Sequence, residues 1–385
     1  MALTTLPTAA FATGSVGTSQ LADGAVTTEK LVADVNFRNL IINGDMSIAQ
    51  RGTSTASITG TGYFTIDRVK NAMSGFGTWT QSQSTDVPSG EGFGYSLKYD
   101  CTTANASLSA SAFGIFQMSK LEGQMLQHLK KGTANAESLT ISFWVKSSKT
   151  GTYIVELFDE DNSRFTNKSY SINSASTWEK KTITFDGDTT GAFNNDNGNS
   201  LSINFWLGAG TTFTTGSLQT TWGGNTASNR AVGQVNLADN TANEWYITGV
   251  QLEVGTSASD FEFLPYDVNL RRCQRYFQVI AELTTGTGQE FIVPCANYNG
   301  TYIFGAYRFM PEMRSAPSVS SVSGTDYYGI NVNSTLDSFN QITASDITPK
   351  SCQLAAASGV SGTAGQAGNM RTNNTSAKVT ADAEF

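Results

Sequence analysis

The chain has 385 residues, enough for two or three domains and a sizeable core. Its formal charge is -8, and its densest basic group is only Arg271, Arg272 and Arg275, which excludes nucleic-acid binding by phosphate neutralisation. Just 15% of residues are charged, which fits short strands with polar rather than charged surfaces, and no apolar run approaches the length of a membrane span, so membrane insertion is not expected.

Residues 1–36 differ from the rest. They are rich in Ala, Thr and Gly, and Phe11 is their one aromatic residue. Leu21-Ala22-Asp23 is echoed ten residues later by Leu31-Val32-Ala33-Asp34. Such a segment buries too little apolar area to fold alone. Leu21, Val26 and Leu31 are spaced apolar anchors, which favours an extended arm that packs against neighbouring copies, with Leu21 and Leu31 at the oligomer interface, over a plain tail.

Residues 37–265 read as a β-sandwich. "NLIINGD" (Asn39–Asp45) is expected to be the first strand and the turn that leaves it. "SLTISFWVKSS", "WEKKTITF", "LSINFWLG" and "NEWYITGVQLEVG" alternate apolar and polar residues between Gly, Asn and Asp, the pattern of half-buried strands. "YIVELFDEDNSRFTNKSYSI" reads as a hairpin turning at "DEDNS". One helix is expected over Ser119–Gly132, weakened by Gly123. Residues 266–280 carry apolar positions at helical spacing and form a helical connector. Residues 281–385 return to short strands, ending in "SAKVTADAEF". The expected fold is therefore all-β: a jelly-roll sandwich, a second small β domain, an extended N-terminal arm and a short connecting helix.

The chemistry of a hydrolase is poorly supplied. His128 is the single histidine, placed beside two lysines and read as solvent-facing, so a histidine-dependent nucleophile has no evident base. Cys101, Cys273, Cys295 and Cys352 form no CxxC pair and read as reduced, buried thiols. The acids Asp159, Glu160, Asp161, Asp186, Asp188 and Asp196 sit in apparent turns, where solvation explains them better than a glycosidase pair. No phosphate loop is present. The chain is read as a non-enzyme without a cofactor.

The aromatic residues carry more. Trp144 and Trp206 point away from the aliphatic faces of their strands. They suit either a sugar platform or a subunit interface, and the interface is preferred. Trp222 lies in a glycine-rich loop. Tyr298, Tyr327 and Tyr328 belong to a tyrosine-rich final domain, and such residues on a β scaffold suit recognition. Trp222, Tyr298, Tyr327 and Tyr328 are therefore the candidate receptor contacts.

The phrases "NLIINGDMSIAQRGTS", "GYFTIDRV", "SLTISFWVKSS", "GDTTGAFNNDNGNSLSINFWLGAGTTF" and "ITGVQLEVGTSASDFEFLPYDVNLRRCQRYFQ", in this order, resemble phage tail-fibre proteins over residues 37–280. "GSVGTSQLADGAVTTEKLVAD" resembles short repeats at the start of virion appendage proteins. The resemblance implies a homotrimeric virion fibre with a jelly roll similar to carbohydrate-binding modules. Residues 1–36 would attach to a tail or other virion protein, and the far end would meet a bacterial surface glycan. It also implies a structural calcium tying the first strand to the last, for which Asp45 and Glu253 hold the matching positions. A polysaccharide-degrading tailspike and a head-decorating or purely structural fibre are the alternatives.

Overall fold

The computed structural model describes residues 37–283, 289–332 and 335–385. Thirteen strands build the first part: β1 (Ser54–Ile58), β2 (Gly62–Tyr63), β3 (Val69–Ser74), β4 (Thr78–Ser84), β5 (Ser96–Thr103), β6 (Phe113–Glu122), β7 (Leu139–Ser147), β8 (Gly151–Asp159), β9 (Arg164–Ile172), β10 (Glu179–Phe185), β11 (Asn199–Ala209), β12 (Gly223–Gly224) and β13 (Glu244–Val254). They form two antiparallel sheets, ordered β1-β4-β5-β13-β7-β10 and β12-β9-β8-β11-β6-β3-β2. The jelly-roll-like sandwich expected from the sequence is present.

Alternation explains how the sheets face each other. Ile141, Phe143 and Val145 of β7 point inward and meet Leu201, Ile203 and Phe205 of β11 in one buried core. The Phe143 and Phe205 rings pack edge to face at 5.0 Å. The same alternation sends Ser142, Trp144 and Lys146 to the outer face of the first sheet.

Two local expectations are corrected. Residues 39–45 are not a ladder strand, although they lie along the second half of β13. Leu40 N donates to Leu252 O and Val250 N to Gly44 O, while the Asn39 amide donates to Val250 O and accepts from Leu252 N. A side chain thus takes the place of ladder bonds, and Asn43 and Met46 adopt positive φ. Gly44 sits so close that a Cβ there would lie 2.1 Å from Val250 O. The helix expected over residues 119–132 is also absent. β6 runs on to Glu122, and two short 3₁₀ turns follow at Gly123–Met125 and Gln127–Leu129. Gly123 fits where a Cβ would meet Asn194 O at 2.0 Å, so close backbone approach, not helix packing, selects it.

The connector is a helix, Tyr266–Gln274, shorter than expected, because the chain is already in β14 (Phe277–Glu282) before residue 280. The strands that follow are β15 (Phe291–Asn299), β16 (Tyr302–Arg308), β17 (Ser318–Ser321), β18 (Tyr328–Val332), β19 (Thr335–Phe339), β20 (Thr343–Ser345), β21 (Ser351–Ala356), β22 (Ala367–Thr372) and β23 (Lys378–Asp382). They make a three-stranded sheet, β14-β23-β17, and a seven-stranded sheet, β19-β18-β22-β15-β16-β21-β20, around a core of their own. Among the described residues, no helix is long and apolar enough to cross a membrane.

Candidate functional site

The outer face of the first sheet carries an open site floored by aromatic rings. Register places Trp144 between Thr248 of β13 and Lys180 of β10, so the three side chains share that face. Trp144 is half-buried and lines a cavity of about 300 Å³ with Glu91, Lys180, Asp260, Phe261 and Phe263. One wall is a cluster of three rings. Phe93 lies 5.1 Å from both Phe261 and Phe263, which are 4.9 Å apart. Gly249 makes room for it: φ is +61°, and a Cβ would lie 2.5 Å from the Phe93 ring.

Beyond Trp144 the face continues through Lys146, Tyr246 and Trp178. The Lys146 ammonium lies 4.2 Å from the Tyr246 ring centroid and pairs with Asp86. The Trp178 indole N–H donates to Asp86 at 3.0 Å. Partial burial works against the Asp86 carboxylate, but the Lys146 and Trp178 hydrogen bonds outweigh it and hold the carboxyl below its usual range. By contrast, Glu91, Lys180 and Asp260 make no side-chain ion pair or hydrogen bond among the described residues. An aromatic floor beside exposed polar groups with no protein partner can stack a sugar ring and bind its hydroxyls. Sequence reasoning put Trp144 on the right face but missed Phe93, Phe261 and Phe263, which arrive from loops.

The other residues singled out from the sequence scatter. Trp144 and Trp206 do not share a face, because β7 and β11 belong to different sheets. Trp206 has no exposed surface: Phe213, Leu218 and Ala231, from the excursion between β11 and β13, fold over it. That corrects its place at an oligomer interface, since the chain's own loop occupies the position. Trp222 is half-buried, and its indole N–H donates to Asp186 O at 2.8 Å. Tyr298, on β15, is 69% exposed and packs edge-on to Tyr302 and tilted against Phe304, both on β16. Tyr327 is half-buried. Tyr328 is fully buried, and its hydroxyl reaches the backbone oxygens of Val322 and Lys378. As a receptor contact Tyr328 is therefore corrected to a core residue. Leu21 and Leu31 lie outside the described residues.

Asp45 and Glu253, the residues expected at a calcium, each hold protein partners. Asp45 accepts from the Ser47 hydroxyl at 3.0 Å and the Asn269 amide at 3.1 Å, which seats the connecting helix on the turn. Burial pushes its carboxyl above the usual range, against those bonds. Glu253 accepts from Ser259 N, the Ser259 hydroxyl and the Gln251 amide. The two carboxylates share no partner, and protein donors fill both Glu253 oxygens. Among the described residues no group of three or more His, Cys, Asp or Glu could hold a metal ion.

The acids considered for hydrolysis are largely tied up. Lys131 bridges Asp159, at 2.5 Å, and Asp188, at 3.1 Å, and Arg164 grips Asp188 through Nε and Nη2. A lysine between two carboxylates is a structural ion cluster, not an acid–base pair facing an open bond. His128 is exposed on its 3₁₀ turn.

No family model and no curated protein matches the chain. Several solved structures do. One is the enzymatically active domain of tailspike protein 4 of bacteriophage CBA120, at 15% identity and a TM-score of 0.30; the match covers 57% of this chain and 22% of that one. Another is a xylan-binding CBM22 domain from Paenibacillus barcinonensis, at 11% identity and a TM-score of 0.25, covering 57% and 96%. A third is the family 11 carbohydrate-binding module of a cellulosomal cellulase from Clostridium thermocellum, at 13% identity and a TM-score of 0.25, covering 56% and 95%.

Proposed function

We propose that the chain is a virion appendage protein that binds a bacterial surface glycan without cleaving it. The reading combines the tail-fibre resemblance of residues 37–280 with one structural observation, the aromatic-floored groove at Trp144. Its floor and wall are rings, and its free groups are an ammonium and two carboxylates, an assortment suited to a polyhydroxylated ring. In this reading the protein is a homotrimer held to the particle through residues 1–36, and several shallow grooves per particle raise avidity without a tight single contact.

Purified full-length protein mixed with host polysaccharide tests it. The protein should retain the polymer without shortening it, and a fall in polymer length would overturn the non-enzymatic reading. Trp144→Ala should weaken retention about tenfold, roughly 1.4 kcal/mol, the scale of one aromatic contact. Unchanged affinity would remove the groove from the proposal. Sedimentation of the same sample should give a trimer, and a monomer would count against the fibre.

A further inference from the structure

A second cavity, of about 260 Å³, opens at the other sheet. It is bounded by Arg164 of β9, the loop from Asp186 to Thr190 after β10, and Thr220, Thr221 and Trp222 just before β12. It shares no lining residue with the Trp144 groove. The geometry points to a separate binding site here for one unit of a neutral sugar.

The walls are held before any ligand arrives. Trp222 packs against the main core, and its only donor is consumed by Asp186 O, so it offers the cleft ring surface alone. The Lys131 ammonium stands 5.5 Å from the centroid of that ring. Arg164 presents Nε at 2.8 Å and Nη2 at 3.0 Å to Asp188, which also accepts from Thr190 N at 3.1 Å. Burial raises the Asp188 carboxyl less than the Arg164 and Lys131 bonds lower it, so it stays ionised and fixes the arginine. Arg164 Nη1 has no partner among the described residues.

Charge then selects the ligand class. Arg164 and Lys131 pair with Asp188, Lys131 also pairs with Asp159, and Asp186 lines the cleft, so two positive groups stand with three negative ones. Such a cleft has no net positive field with which to hold a phosphate or a uronate. What it does offer are the exposed hydroxyl-bearing residues Thr189, Thr190, Thr220 and Thr221, the free Arg164 N–H and the Asp186 carboxylate around an indole ring. These match the hydroxyls and the apolar C–H face of a neutral hexopyranose. The volume, about 260 Å³, is just below the range of drug-sized ligand pockets, which starts at about 300 Å³, and so suits a single ring. With two sites on one chain, a polysaccharide that reaches both binds more tightly than either fragment alone.

Fluorine NMR of the full chain carrying 5-fluorotryptophan tests this, because its six tryptophans include both Trp144 and Trp222. Trp222→Phe and Trp144→Phe assign the two resonances. The probes are the methyl glycosides of glucose, galactose and mannose, with glucuronate and inorganic phosphate as anionic comparisons. The Trp222 resonance should move saturably, with a millimolar constant, for at least one neutral glycoside, and should still do so in Trp144→Ala. Arg164→Gln should weaken that binding about tenfold. Because this change also frees Asp188, Thr221→Val is run beside it and should weaken binding by about threefold with the ion cluster intact. A Trp222 resonance unmoved up to roughly 100 mM, well above a millimolar constant, overturns the site. So does one that moves only with the anions, or only together with all the other tryptophans. The Trp144 resonance reports the first groove in the same titration, so failure of either site is read separately.

Discussion

Asp67 shows what burial does to one carboxylate. It has no exposed surface, accepts from Gln50 N at 3.1 Å, and lies 3.7 Å from Arg51 Nη1. Burial raises its carboxyl from the ordinary 3.8 to about 6, and the nearby Arg51 charge offsets only part of that. The folded protein therefore binds this proton more tightly than the unfolded chain. The resulting stability is fully present below about pH 4 and is lost as pH rises through 6. The gap corresponds to about 3 kcal/mol at 1.36 kcal/mol per pH unit. Asp67→Asn should remove that slope, so its stability relative to wild type should improve by up to this amount between about pH 4 and pH 7. Urea denaturation at the two pH values measures it, and an unchanged difference would mean that Asp67 is as solvated in the fold as outside it. Residue roles of this kind were only partly legible in the sequence. Trp144's direction followed from period two, and the turn role of Asp45 followed from Asn-Gly-Asp. The burial of Trp206 and Tyr328 did not, because what covers them comes from distant parts of the chain.

Most elements were legible where both signals, alternation and turn residues, agreed. β7, β10, β11, β13 and the β8–β9 hairpin all fall where the pattern puts them. The errors fall where backbone and side-chain hydrogen bonds replaced regular pairing. At residues 39–45 the Asn39 amide stands in for a ladder, and at residues 119–132 β6 runs on to Glu122 and two 3₁₀ turns take the place of the expected helix. The groove wall was illegible for a related reason: Phe93, Phe261 and Phe263 come from two loops with no periodicity to mark them. Their assembly depends on a break in β13, where register shifts between Thr248 and Gln251 around Gly249. Gly249→Ala would strain a positive-φ position and drive a methyl into the Phe93 ring. A cost of about 1–3 kcal/mol is expected from the backbone alone, with loss of glycan retention beyond it as the ring cluster shifts. Thermal melting and retention measured together check this, and a variant with normal melting and normal retention would show that the ring wall is not rigid.

At the scale of the molecule, the closing residues tie the second core to the first. Arg68, in the sandwich, is fully buried. Its guanidinium pairs with Glu384, donates to Lys120 O at 2.6 Å and lies 3.4 Å from the Tyr276 ring centroid. Arg51 reaches Asp382 at 3.2 Å, and Lys70 donates to Phe385 O at 2.8 Å. Removing residues 281–385 to test a role in adsorption would therefore also strip Arg68 of its counter-charge and damage the sandwich. A point change separates the two effects. Glu384→Leu should cost about 3–5 kcal/mol, because an unpaired guanidinium is left in a place water does not reach. Adding Arg68→Met should recover most of that loss, since the buried charge is then gone and apolar groups fill its volume. Denaturation of wild type, both single variants and the double variant closes the cycle. Strictly additive losses would mean that the two residues do not sense each other, and that the cores are joined by the other contacts, such as Arg51 with Asp382 and Lys70 with Phe385 O. A large coupling would make the pair a fastening between the sandwich and the strands that follow it, so adsorption is better dissected with single exposed changes, such as Tyr298→Ala, than with a truncation.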